Sequence, residues 1–269
     1  MIVNSSRIWT TTRRSAELAM VAVFLICPLV PSAASATIEK IQRRGVLEVC
    51  VNPDAMPFSS AFNGANGLQI DLANAVAREL GVSATFSWVQ FRFQAKYTRC
   101  DAYMGVGVLP GEDGGPVKKT HPFLKFETIL VSRPGMKLTN LEALDGLKVG
   151  VQSGSLAHVT LLKRTVDTRV SFTREADMLA AILDGRLDAG FVSNVSLNWF
   201  LKNHPQAKLA EWPASIAQDP TGYPIAVGLR KTDEASVERI NKIIAKLEET
   251  GELERIFSKY GLEKLILRN

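Results

Sequence analysis

From Leu47 onward the apolar residues alternate between two rhythms. Short apolar-rich runs at residues 47–51, 85–89 and 101–106 are bounded by turn residues, as strands are. Between the first two, Leu72, Ala75, Val76 and Leu80 recur at helical spacing on one face, and Gly81 follows as a C-cap. A turn-rich loop spans residues 52–67, a short helical piece residues 91–98, and a Gly/Pro-rich loop residues 109–116. Strands separated by helix-length crossovers pair in parallel, so the pattern predicts an α/β lobe.

The run at residues 125–133 reads as a strand leaving that lobe, because Pro134-Gly135 breaks it and a new series begins near Leu147. This series predicts strands at 148–151, 170–172 and 188–192, with helices from Ser155, over 175–184 and over 196–202. The extended run 223–229 suits a return crossing to the first lobe. Residues 234–249 then place Val237, Ile240, Ile244 and Leu247 on one helical face, before a last helix with Leu253, Ile256 and Phe257. Two crossings imply a hinge and an interlobe cleft. The expected organisation is a segment 1–36 apart from the fold, lobe 1 from 37–133, lobe 2 from 134–222, and a return to lobe 1 over 223–269.

Residues 1–36 have the layout of a cleavable export signal: Arg7, Arg13 and Arg14, an apolar run over 18–30, then Ala34-Ser35-Ala36. The apolar run is short for a lasting membrane span, and Ile26 ahead of Cys27 speaks against lipidation. Cleavage near Ala36 and a periplasmic location are expected. Removing that segment takes the net charge from +5 to +3, too mild to argue for nucleic acid.

The exported chain keeps two cysteines, Cys50 and Cys100, which an oxidising compartment is expected to bridge. The bridge would close a loop of about fifty residues, worth about 4 kcal/mol in the chain-entropy model. A catalytic thiol pair would want closer spacing or an activating base, and neither is visible.

His121, His158 and His204 are far apart and none has metal-ligand spacing, so no metal or cofactor is expected. Gln152-Ser153-Gly154-Ser155 lacks the lysine of a phosphate loop, yet it opens a helix with amides and hydroxyls that suit an anion; Ser153 or Ser155 serves equally as a helix N-cap. Asp188 and the Glu112-Asp113 pair have no partner base, nucleophile or oxyanion pattern. No reaction is indicated, and the chain is read as a binding protein rather than an enzyme.

Several motifs in fixed order resemble the periplasmic solute-binding proteins of the polar amino-acid type. They are Leu47-Glu48-Val49-Cys50-Val51-Asn52-Pro53 through Pro57-Phe58, Gly67-Leu68-Gln69-Ile70-Asp71, Lys148-Val149-Gly150-Val151-Gln152-Ser153-Gly154-Ser155, and Gly185-Arg186-Leu187-Asp188-Ala189. The resemblance implies a two-lobed periplasmic binding fold of type II. It also implies an arginine after the third strand for a ligand carboxylate, and an acid soon after the Asp-Ala pair for its ammonium. Here residues 109–116 contain no arginine and Phe191-Val192-Ser193-Asn194 no acid, so both anchors are missing at those positions. A buried zwitterion without opposite charges is costly, which argues against a free amino acid.

Val49-Cys50-Val51-Asn52-Pro53 with Pro57-Phe58-Ser59, Arg99-Cys100-Asp101 and Met104-Gly105-Val106 resemble a narrower branch, the J-type (MxaJ/XoxJ-like) proteins associated with quinoprotein methanol dehydrogenases. That branch implies an accessory role beside a PQQ-dependent methanol or alcohol dehydrogenase rather than a transport step, with an ABC permease and a small solute as the alternative and an enzyme on the same scaffold as the third reading. Phe58, Phe62, Trp88, Phe91 and Phe93 are aromatic candidates for the cleft. The contacts expected there are Phe58, Trp88, Gly107, Ser153, Gly154, Ser155, Ser193 and Asn194.

Overall fold

The structure is a computed structural model that describes residues 38–62, 64–109, 111, 115–140, 142–153, 155–162, 169–213 and 222–268. The expected export signal, Gly154 and the Glu112-Asp113 pair lie outside the described residues. Among the described residues no helix is long and apolar enough to cross a membrane.

In chain order the elements are α1 (Ile38–Arg44), β1 (Val46–Val51), the short β2 (Asp54–Ala55) and β3 (Ser59–Ser60), α2 (Leu68–Leu80), β4 (Ser83–Trp88), a 3-10 turn (Arg92–Tyr97), β5 (Ala102–Gly107), β6 (Val117–Lys119) and β7 (Leu124–Ser132). There follow β8 (Val149–Gln152), α3 (Leu156–Leu162), β9 (Arg169–Phe172), α4 (Glu175–Leu183), β10 (Ala189–Ser193), α5 (Asn194–Asn203), β11 (Ala210–Pro213), β12 (Gly222–Arg230), α6 (Glu234–Glu249) and α7 (Glu252–Ser258).

In lobe 1, β1 lies parallel between β4 and β5, with Val46 opposite Ser83 and Val51 opposite Trp88. The helix α2 covers this sheet because its helical repeat brings Leu68, Leu72, Ala75, Val76 and Leu80 inward. Its first amides are satisfied from the preceding loop, Leu68 N donating to Pro57 O and Gln69 N to Phe58 O, both at 2.8 Å. Gly81 ends it in the left-handed conformation, φ 73°.

In lobe 2, β8, β9 and β10 are parallel and β10 is buried throughout, as a strand covered on both faces must be. The two-residue strand period sorts its core: Leu130 and Phe191 pack with Val149, Leu144 and Leu161 on one face, and Val131 and Val192 with Met178, Ile182 and Phe200 on the other. Each large side chain removed from water contributes about 1.5–3 kcal/mol.

β7 and β12 are the crossings. β7 pairs with β12 over Leu124 to Glu127, then with β10 and β11 over Thr128 to Ser132. Behind the crossing α5 packs on lobe 1: Trp199 lies 5.7 Å from the Tyr260 ring, and Lys202 donates to Ser258 O at 3.0 Å. The short strands β2, β3, β6 and β11 and the helix α1 are not anticipated by the residue pattern. α1 is held from far along the chain, with Ile38 N donating to Ser236 Oγ at 3.2 Å.

Candidate functional site

The parallel strands β1 and β4 end opposite each other, at Val51 and Trp88, and β5 continues beside them to Gly107; the loops that leave β1 and β4 border the lobe 1 side of the expected cleft. The crevice beyond the carboxyl ends of such strands is where ligands bind in open α/β sheets. Asn52 ties two of these loops, its Nδ2 donating to Gln90 O at 3.2 Å. Beneath them is a cavity of about 180 Å³ bordered by Val51, Asn52, Gln69, Gln90, Tyr103 and Gly105. The Gln69 amide lies over Gly105, where an added Cβ would come within 2.5 Å of Nε2. Phe58 is half-buried against the lobe 1 core, while Trp88 at the end of β4 is exposed.

This edge is braced. Cys50 and Cys100 are at disulfide distance, with sulfurs 2.04 Å apart. Arg230 at the end of β12 points one guanidinium nitrogen at Ala95 O (3.1 Å) and Cys100 O (3.2 Å), so the return strand clamps the segment after β4. Below, Asp101 accepts from Glu48 N at 2.9 Å and from Arg44, while burial raises its carboxyl above the ordinary value of 3.8. Burial and the neighbouring Asp71 raise the Tyr260 phenol as well, so it stays protonated and donates to Asp71 at 3.1 Å.

The lobe 2 side is polar. Ser193 caps α5 by accepting from Ser196 N at 3.1 Å, and its hydroxyl donates to Glu175 Oε2 at 2.6 Å. The same carboxylate accepts from Ser193 N at 3.1 Å. An acid therefore stands beside the position where the sequence shows none. It comes from the start of α4, 18 residues away, and no local motif points to it. Asn194 is buried, and its amide bridges the crossing strand, donating to Lys125 O at 3.0 Å and accepting from Glu127 N at 3.1 Å. Next to Glu175, Arg174 is held by Asp177 at 2.8 Å and reaches Asp54 of lobe 1 at 3.9 Å.

Ser153 is exposed, with its amide donating to Phe172 O at 2.8 Å. The Ser155 hydroxyl accepts from His158 N at 3.1 Å, the N-cap arrangement at a helix of seven residues. Gly107 ends β5 under the Tyr223 ring, where an added Cβ would meet the ring at 2.8 Å. Tyr223 stacks with Phe126 across the paired crossings, centroids 5.1 Å apart, and both border a hinge cavity of about 360 Å³. The structure thus gathers Ser193 and Asn194 at the hinge and sets Phe58 and Trp88 on the opposite lobe. Gln69 and Tyr223 each line a cavity, and Glu175 stands at Ser193.

Asp188 is engaged in the frame of lobe 2, bonded by Arg133 and by Lys148 N at 2.9 Å. Among the described residues no three His, Cys, Asp or Glu side chains are grouped to hold a metal ion.

Comparison with known proteins agrees with this architecture. ABC transporter arginine-binding protein 1 of Escherichia coli (strain K12) is 24% identical over 213 residues, 76% of this chain and 86% of that protein. Membrane-bound lytic murein transglycosylase F of Pseudomonas putida (strain GB-1) is 24% identical over 238 residues, 83% of this chain but 48% of that enzyme. The structure of an ancestral cationic amino-acid solute-binding protein superposes with a TM-score of 0.69 at 23% identity, covering 83% of this chain and 98% of that one. The sequence pattern of one family runs over residues 47–263, from β1 past α7, and this chain belongs to that family, the bacterial extracellular solute-binding proteins, family 3.

Proposed function

We propose that this chain is an exported, non-catalytic binding protein that assists a PQQ-dependent methanol or alcohol dehydrogenase through its interlobe cleft. The observation that carries the reading is the loop after β5, residues 109–116, which has no arginine to meet a ligand carboxylate. In a cleft shielded from water, a carboxylate without a fixed counter-charge is strongly disfavoured. The J-type resemblance supplies the dehydrogenase as partner, and the missing anchor supports it against a receptor for free amino acids.

A second reading, a receptor that delivers a small solute to an ABC permease, is favoured by the Glu175 carboxylate at Ser193. A solute with a cationic group and no carboxylate would suit that acid. Mild affinity purification of the mature protein from its native periplasm, with mass spectrometry of proteins and released metabolites, separates the two. Recovery of a quinoprotein dehydrogenase supports the accessory role. A stoichiometric metabolite without a dehydrogenase overturns it and identifies the solute.

A further inference from the structure

The edge of lobe 1 exposes aromatic rings to an unusual degree: Phe62 is 63% exposed, Trp88 39%, Phe91 53%, Phe93 65% and Tyr97 78%. Apolar groups shown to water on this scale mark interaction surfaces. Phe91 and Phe93 stack on each other with centroids 5.7 Å apart, and the loop that carries Phe62 is tied to their segment through Asn52 and Gln90.

Two further observations give the ridge an occupant. First, it is rigid. Phe91 N donates to Gln94 Oε1 at 2.9 Å, Gln94 N donates to Phe91 O at 2.9 Å, Arg230 grips Ala95 and Cys100, and the disulfide anchors the end of the segment. A backbone held in place before binding loses little freedom on binding. Second, residues 90–99 carry Arg92, Lys96 and Arg99 and no acidic residue. Lys96 and Arg99 are exposed, and Lys96 lies 4.8 Å from the Tyr97 ring centroid. Interleaved rings and cations fit a chain that offers apolar side chains and carboxylates together. An anionic bilayer shares that chemistry. The ridge, however, is joined through Gln90 and Asn52 to Asp54, which meets Arg174 of lobe 2, and a surface next to a second lobe is reached more readily by an extended chain than by a flat bilayer.

We infer that this ridge docks an acidic polypeptide segment bearing apolar side chains. The inference rests on the accessory reading and assigns the surface through which it operates. The test titrates the mature protein with a fluorescent synthetic peptide alternating Glu with Leu and Phe, with a counterpart carrying Lys for Glu, and with phosphatidylglycerol vesicles. The acidic peptide is expected to bind better than the basic one. Its affinity should fall about tenfold or more in Phe91→Ser/Phe93→Ser, and also in Lys96→Glu/Arg99→Glu, which leaves the rings in place. Equal binding by both variants and the wild type overturns the inference, as does sedimentation with vesicles in place of peptide binding. Periplasmic purification with the Phe91→Ser/Phe93→Ser variant separates this inference from the accessory reading. A dehydrogenase retained by wild type and variant alike overturns the ridge and leaves the reading standing. Ridge-dependent peptide binding with no dehydrogenase recovered by the wild type supports the ridge and overturns the reading.

Discussion

The two sides of the cleft are built on opposite principles. Lobe 1 offers exposed rings on a segment fastened by a disulfide and by an arginine from the return strand. Lobe 2 offers a half-buried polar junction in which Glu175, Ser193 and Asn194 are bonded to one another's elements and to the crossing strand. An apolar surface attracts without direction and tolerates varied partners, whereas a bonded carboxylate and hydroxyl demand a matching donor. The difference teaches that lobe 1 presents apolar surface to its surroundings, whereas the polar groups of lobe 2 are spent on joining α4, β10 and the crossing strand.

The bracing of lobe 1 is where the largest effect is expected. Replacing Cys50 and Cys100 with Ser should destabilise the protein by about 4 kcal/mol on the chain-entropy model, read as the urea midpoint of variant and wild type; a loss confined to lobe 2 would break the comparison. Next comes the polar junction. Asn194→Ala strands Lys125 O and Glu127 N in a half-buried crossing, so a loss of about 1 kcal/mol is expected, together with faster amide exchange at Glu127. Unchanged exchange there would show that the hinge does not depend on this amide.

A smaller effect is a slope with pH. The Asp101 carboxyl is raised in the folded state, so its favourable contribution is full below 3.8 and is lost as pH rises through its folded value. Asp101→Asn has no such loss. The stability of the variant relative to wild type should therefore rise with pH above 3.8 and then level, in denaturation series at several pH values; a falling difference would mean that Arg44 and the Glu48 amide outweigh burial. The smallest effect is at the contact between lobes. Arg174→Ala removes an exposed pair with Asp54, one that solvent and salt screen, and scattering should show little change in compactness.

Much of the frame is legible in the residues. The face Val237, Ile240, Ile244 and Leu247 marks α6 over 234–249, and Gly81 marks the end of α2, because helical spacing and left-handed caps are local properties. The pairing of Cys50 with Cys100 is the one choice that remains if the segment up to Ala36, with Cys27, is removed as expected. The short strand β11 escapes notice because its four residues are ordered by pairing with the distant β7, where Trp212 lies opposite Leu130 and its indole N–H donates to Ser132 Oγ. The acid at Ser193 escapes for the same kind of reason, since α4 and β10 meet only once the sheet has formed.

By itself the sequence determined the order of the longer strands and helices, the two crossings and the absence of an arginine after β5, since each is written in neighbouring residues. Only the tertiary structure decided which rings stay in water at the edge of lobe 1, and that Glu175 stands at Ser193 while Asn194 serves the hinge. Burial and partnership depend on what distant segments bring to the same place, and an apolar ring or a carboxylate reads the same in sequence wherever it ends up.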